Sequence, residues 1–151
     1  MKKTIYLAYG SNMSLQQMYH RCPEAEPIGK GIIKGWRLMF KGSQSGNYAT
    51  IEPEDGYEVP VVVWAISCRD EKHLDRYEGW PSFYVKETVE FEYIGDRPGR
   101  RKTAEGMVYI MPPESSVLGL PSQRYYNALL EGYVRFGFDT GILNEAVDFS
   151  K

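Results

Sequence analysis

Tyr9-Gly10-Ser11-Asn12-Met13 stands where a predicted strand over 4–9 gives way to a predicted helix opening at Ser14. A turn of that kind leaves several backbone N–H groups without intrahelical partners. With the helix dipole behind them, they make a natural anion site. Gly10 lets a ligand approach the backbone closely, and Ser11 and Asn12 add side-chain donors. The competing reading is an ordinary capped turn. The second candidate is Glu78, in Leu74-Asp75-Arg76-Tyr77-Glu78-Gly79-Trp80. A carboxylate at a helix C-terminus faces the negative end of the dipole. Tyr77, Trp80, Phe83 and Tyr84 are expected to crowd it and reduce its solvation. Both effects raise its pKa toward the range useful for proton transfer. The competing reading is an exposed glutamate on a last helical turn. Tyr84 is a further donor beside that loop. Tyr125, and residues of the 42–47 stretch, either line the same pocket or serve packing.

Other chemistries find little support. His20 and His73 lie on predicted helices with no nucleophile or carboxylate at motif spacing. Cys22 and Cys68 form no C-x-x-C, and no His/Cys/carboxylate cluster has metal-ligand spacing. There is no P-loop and no G-x-G-x-x-G. The G-S-Q-S-G stretch at 42–46 fails as a nucleophile elbow, because Gln44 stands where that motif needs Ser. No metal and no cofactor is therefore expected. Lys+Arg 18 against Asp+Glu 20 leaves a net charge of −2, which argues against a general polyanion binder such as a nucleic-acid protein. One small anionic ligand remains compatible with it. Met1-Lys2-Lys3 leads into no apolar signal segment, and the apolar run 59–66 is too short to cross a membrane. The expectation is a cytoplasmic protein with two free thiols.

The elements that must position these residues follow from periodicity and turn chemistry. A chain of 151 residues is the size of one domain, expected over 1–151. Its aromatics, Tyr 12, Phe 6 and Trp 3, favour strands. Ser14 can cap a short helix with Gln17 at the capping-box position, and Pro23 ends it. Leu15, Met18, Tyr19 and Cys22 share its apolar face. Strands are predicted over 31–41, 48–51 and 59–68, with a polar connection at 42–47 and a turn at 53–56. A short helix runs from Arg69-Asp70 to Tyr77. Strict alternation over 84–93 predicts a strand, with Glu87 out of place on the apolar face. A turn at 95–101 leads to a partner strand over 104–111. The basic cluster Arg97, Arg100, Arg101 and Lys102 reads as a solvated turn, with a phosphate patch as the lesser reading. Ser122 caps a helix to about Phe136, whose Tyr126, Leu129, Leu130, Tyr133 and Phe136 share a face, and 143–149 adds a last helical turn. The sum is an α+β fold: a mixed, β-barrel-like sheet of about six strands with peripheral helices.

These motifs in order resemble the gamma-glutamylcyclotransferase-like family. The resemblance rests on Tyr9-Gly10-Ser11-Asn12-Met13, the Ala49-Thr50-Ile51 strand, Val62-Val63-Trp64, Leu74-Asp75-x-x-Glu78-Gly79 and Tyr84-Val85, and extends to roughly Phe136. It implies a small mixed β-barrel with flanking helices. It further implies release of 5-oxoproline from a γ-glutamyl amide, an amine-releasing lyase or acyltransferase chemistry. The Tyr9–Met13 turn would hold the γ-glutamyl moiety, and Glu78 would be the acid–base residue. Trp80-Pro81 stiffens the loop after Gly79, a departure that bears on substrate identity. The residues fit this chemistry without a Ser, Cys or metal nucleophile, because the substrate carries its own amine and its own carbonyl. Such a protein would act on a small γ-glutamyl amide, with no nucleic acid or membrane partner; a homodimer is an open option. A non-catalytic module that binds a γ-glutamyl or amino-acid ligand is the alternative from another class. A protein-interaction module using exposed aromatics is a third, and hydrolysis or acyl transfer a further variant within the enzyme class.

Overall fold

The computed structural model describes residues 3–43, 46–94 and 102–151. In chain order the elements are β1 (Thr4–Ala8), a 3-10 turn (Ser11–Met13), α1 (Leu15–Arg21), β2 (Glu26–Ser43), β3 (Gly46–Ile66), α2 (Cys68–Glu78), β4 (Val85–Tyr93), β5 (Thr103–Ile110), β6 (Val117–Leu118), α3 (Gln123–Phe136) and α4 (Gly141–Phe149). Pairing runs β3-β1-β5-β4-β2, and β2 pairs again with β3. Five strands thus close into a barrel, and β6 lies outside on β2. The β1–β5 pair is parallel and the others are antiparallel, so the barrel is mixed. Closure removes the free edges that an open sheet would present.

The expected α+β barrel with peripheral helices is what forms, but its strands are longer than periodicity suggests. Two strands, β2 and β3, replace the three predicted over 31–41, 48–51 and 59–68. They pair from Ser43↔Gly46 to Glu26↔Ala65. The turn predicted at 53–56 is no chain reversal. Lys34 faces Glu58 while Trp36 faces Pro53, so residues 54–57 bulge opposite Gly35. Gly35 and Gly56 supply the positive φ that this irregularity needs, at +81° and +88°. Pairing with β2 overrides the local turn chemistry of Pro53 to Gly56, which lie inside β3. Cys68 belongs to α2, not to a strand: Ser67 caps the helix and forms a reciprocal capping box with Asp70. Ser14 caps α1 through Gln17 N–H, and Ser122 caps α3 through Tyr125 N–H, as predicted. Helix α4 is longer than the single turn expected, and β6 is a strand no periodicity announced. Glu87 is exposed in spite of its position in the alternation. The turn predicted at 95–101, with Arg97, Arg100 and Arg101, lies outside the described residues.

The barrel interior is closed by Trp64, Phe40, Ile33, Leu7 and Phe91, each at most 1 % exposed. At the β1–β5 seam Leu7 fills the space above Gly106. A Cβ on Gly106 would stand 2.7–3.0 Å from the Leu7 side chain. Gly106→Ala is therefore expected to lower the free energy of unfolding by about 1–3 kcal/mol through overpacking, measured as a lower denaturant midpoint at unchanged slope. No helix among the described residues is long and apolar enough to cross a membrane.

Candidate active site

Glu78 is the last residue of α2. Gly79 stops the helix in the left-handed conformation at φ 70°, its N–H returning to Arg76 and Asp75 carbonyls. The helix is held against the barrel by charge. Lys86 of β4 sits 2.8 Å from Glu71 and 3.0 Å from Asp75, and Tyr109 of β5 donates to Asp75 at 2.6 Å. These ties orient the end of α2 toward a cavity of about 280 Å³ at one mouth of the barrel.

Tyr9, Gly10, Ser11, Asn12, Glu78 and Tyr84 all line that cavity, so two motifs 66 residues apart meet in one place. Asn12 is 2 % exposed, and its Nδ2 donates to Tyr6 Oη at 2.9 Å and to Glu78 Oε1 at 3.4 Å. Its backbone carbonyl accepts from Trp64 Nε1 at 3.2 Å, which ties the turn to the barrel core. Met13 is the exception among the predicted site residues. It is 1 % exposed and its side chain packs against Gly132 of α3. The turn folds as a 3-10 segment, whose third side chain points inward. This segment also separates Gly10 from α1, which starts at Leu15. The donors at the cavity are therefore those of the turn itself and not of the α1 terminus. Among the described residues, no protein acceptor takes up the backbone N–H of Gly10, Ser11 or Asn12.

Burial pushes the Glu78 carboxyl up to about 7 from an ordinary value near 4.5, and the Arg21 guanidinium pulls the other way. The direction agrees with the expectation from sequence, but the neighbours differ. Trp80 stands away from the cavity, 44 % exposed, with its ring over Lys86 at 4.2 Å. The place expected for it is taken by Tyr6 and Tyr9 from β1 and its exit, and by Tyr125 from α3, which line the cavity with Tyr77, Phe83 and Tyr84. Burial raises the phenols of Tyr6, Tyr9, Tyr84 and Tyr125 above their ordinary range, so they stay protonated as donors. Tyr84 donates to the Ala49 carbonyl at 2.9 Å, while Tyr125 accepts from Ala49 N–H at 3.2 Å. Two hydroxyls thus hold the carbonyl and the N–H of one residue of β3. Tyr125 is a wall of the cavity as well as a packing residue, and Tyr48 meets it edge-on with ring centroids 5.3 Å apart. Among the described residues of the 42–47 stretch none is in the cavity lining; Asn47 instead donates to the Leu120 carbonyl. Tyr6, Tyr48, Tyr109 and Arg21 are among the residues that sequence reasoning missed. Arg21 ends α1, and its partners come from other elements, so no local spacing marks it. Among the described residues no three His, Cys, Asp or Glu side chains come together as a metal-ligand set.

The arrangement can move one proton at a carboxyl of near-neutral pKa and can face unpaired N–H groups toward a negative oxygen. Comparisons with known proteins concern the chain as a whole. Residues 6–128 match the family model described as gamma-glutamyl cyclotransferase, AIG2-like. The chain is 29 % identical to Homo sapiens gamma-glutamylcyclotransferase over 136 residues, spanning 85 % of this chain and 69 % of that one. It is 30 % identical to the Mus musculus gamma-glutamylcyclotransferase over the same shares of both chains. A solved gamma-glutamyl cyclotransferase superposes with a TM-score of 0.81 at 25 % identity, covering 96 % of this chain and 86 % of that one. A barrel with this order of motifs, matched over most of its length, belongs to the gamma-glutamyl cyclotransferase, AIG2-like family.

Proposed function

We propose that this chain releases 5-oxoproline from a γ-glutamyl amide, with Glu78 as the single acid–base residue. The observation that carries the reading is a carboxyl, pushed up to about 7, lining one cavity with Gly10, Ser11 and Asn12, whose backbone N–H groups have no protein acceptor among the described residues. The γ-glutamyl group enters as a zwitterion. Glu78 takes a proton from the α-ammonium, and the freed amine attacks the γ-carbonyl carbon. A five-membered ring closes, and the carbonyl oxygen becomes an oxyanion in reach of the turn's N–H groups. Protonated Glu78 gives its proton to the amide nitrogen, the amide C–N bond breaks, and the second proton of the new ring nitrogen passes through Glu78 to the released amine, which leaves as an ammonium. No water is consumed. Because nucleophile and electrophile belong to one molecule, holding the chain in its folded-back shape supplies much of the catalysis. Neutral tyrosines shape that chain without competing for the proton.

The test is incubation with a panel of γ-glutamyl amides whose amines differ in size and charge, assayed for 5-oxoproline. Appearance of 5-oxoproline with stoichiometric amine supports the reading. Glutamate in its place indicates hydrolysis, and binding without product indicates a ligand-binding module. With Glu78 as base, kcat/KM on an active amide is expected to rise with pH through about 7 and then level, because only the deprotonated carboxylate accepts the α-ammonium proton. A flat profile across that range contradicts a base of that pKa.

A further inference from the structure

We propose that Arg21 is a positioning residue of this site, fixing the Asn12 amide so that its donor end faces Glu78 and Tyr6. The inference rests on the reading of Glu78 given above and extends it to the far side of the pocket. An asparagine side chain can present either an NH₂ or a carbonyl to a neighbour, and the two ends are nearly the same shape. With the carbonyl toward Glu78, two oxygens would face each other in a buried place. Asn12 is 2 % exposed, so bulk water cannot repair that arrangement. A guanidinium has donors and no acceptor. Arg21 Nη1 donates to Asn12 Oδ1, which leaves Nδ2 for Tyr6 at 2.9 Å and Glu78 at 3.4 Å.

Arg21 is itself held. Its guanidinium lies over the Tyr77 ring, 3.6 Å from the centroid, and Nη1 is 3.5 Å from Ser11 Oγ. Tyr77 immediately precedes Glu78, so this stack clips the end of α1 to the last turn of α2. One side chain therefore touches both motifs of the site, Ser11-Asn12 and Tyr77-Glu78, without touching the carboxyl. The titratable groups that face Glu78 are Tyr6 and Tyr9 from the β1 side, Tyr84 before β4, Tyr125 from α3, and Arg21 from α1. The tyrosines are kept neutral by burial. Among the described residues, Arg21 is thus the one cation acting on the carboxyl.

The test compares Arg21→Met, which removes charge and donors, with Arg21→Lys, which keeps charge but loses the planar fork. The readouts are the Glu78 carboxyl titration by carbon-13 NMR, assigned against Glu78→Gln, and kcat and KM across pH. In R21M the Glu78 midpoint is expected to rise by about one unit, and kcat at neutral pH to fall by roughly 10- to 100-fold with a smaller change in KM. In R21K the midpoint is expected near that of the parent, with kcat still reduced. In an Asn12→Ala background, R21M is expected to cost little further kcat on the high-pH plateau, where the raised midpoint no longer matters and the route through Asn12 is already gone. An R21M midpoint equal to the parent's, or full additivity with Asn12→Ala on that plateau, overturns the assignment. The titration needs no substrate. A chain inactive on every amide but with the shifted midpoint refutes the cyclotransferase reading and keeps the Arg21 assignment. An active chain with an unmoved midpoint does the reverse. If R21M does not fold, R21K carries the test through its split between a parental midpoint and a reduced kcat.

Discussion

Glu78→Gln is expected to lose turnover on any accepted γ-glutamyl amide by roughly 10²–10⁴-fold while keeping fold and ligand binding. Gln preserves the shape, and its carbonyl can still accept from Asn12 Nδ2, which now reaches Glu78 at 3.4 Å. What it cannot do is take a proton from the α-ammonium and return it to the leaving amine. Those two transfers rest on one group, so a single change removes both. No other carboxylate lines the cavity to replace it among the described residues. The measurement is kcat with binding determined separately by calorimetry. Near-normal turnover in this variant would refute Glu78 as the base, whatever the product.

The same substitution is expected to stabilise the protein at high pH. The sign follows from proton linkage. The folded carboxyl sits at about 7 and its ordinary value is near 4.5, so between these the folded state holds a proton that the unfolded state has released. Stability therefore falls as pH rises through that window and levels above it. A shift of this size corresponds to about 3 kcal/mol. Gln carries no such charge. The stability difference between variant and parent is expected to grow by about that amount from about pH 4 to about pH 8, read as denaturant midpoints at both. Other titrating groups cancel in the difference. A difference that stays constant with pH would mean that the carboxyl is well solvated in the folded protein. The two effects have one origin: the burial that makes Glu78 useful also destabilises its ionised form.

How much of this was legible in the sequence depends on how far apart the cooperating residues lie. Caps are local, and Ser14 and Ser122 were readable from their own neighbours. So was Glu78, whose position before Gly79 at a helix end is a matter of adjacent residues. The length of β2 and β3 was not, because Pro53, Asp55 and Gly56 look like a chain reversal until the partner strand is known. Met13 was misplaced for a similar reason. A motif read as one unit says nothing of which way each side chain points, and a 3-10 turn sends the third one inward to Gly132. Trp80 follows Glu78 closely in sequence yet faces Lys86, while Tyr6 and Tyr125 are remote in sequence and stand at the cavity. Arg21 lies beyond local reading altogether, since its meaning comes from Asn12 and Tyr77 together. The resemblance to known cyclotransferases carried the fold and the family; the wiring between residues came from the structure.

The seam between β1 and β5 has a consequence for how the protein comes to be active. Tyr6 is paired with Met107, about a hundred residues later in the chain, and the ladder there is parallel. Contacts of that separation form late, because a long loop must be closed before they return any stabilisation. Tyr6, Leu7 and Tyr9 on one side of the seam, and Tyr109 on the other, also line the cavity. Tyr9 even spends its hydroxyl on the Tyr109 carbonyl. The cavity and the final closure of the barrel are thus one event. A partly folded chain, or one cleaved before β5, has Glu78 and the Gly10–Asn12 turn but no chamber to bring them together. Activity regained during refolding should track the last cooperative step and never precede it.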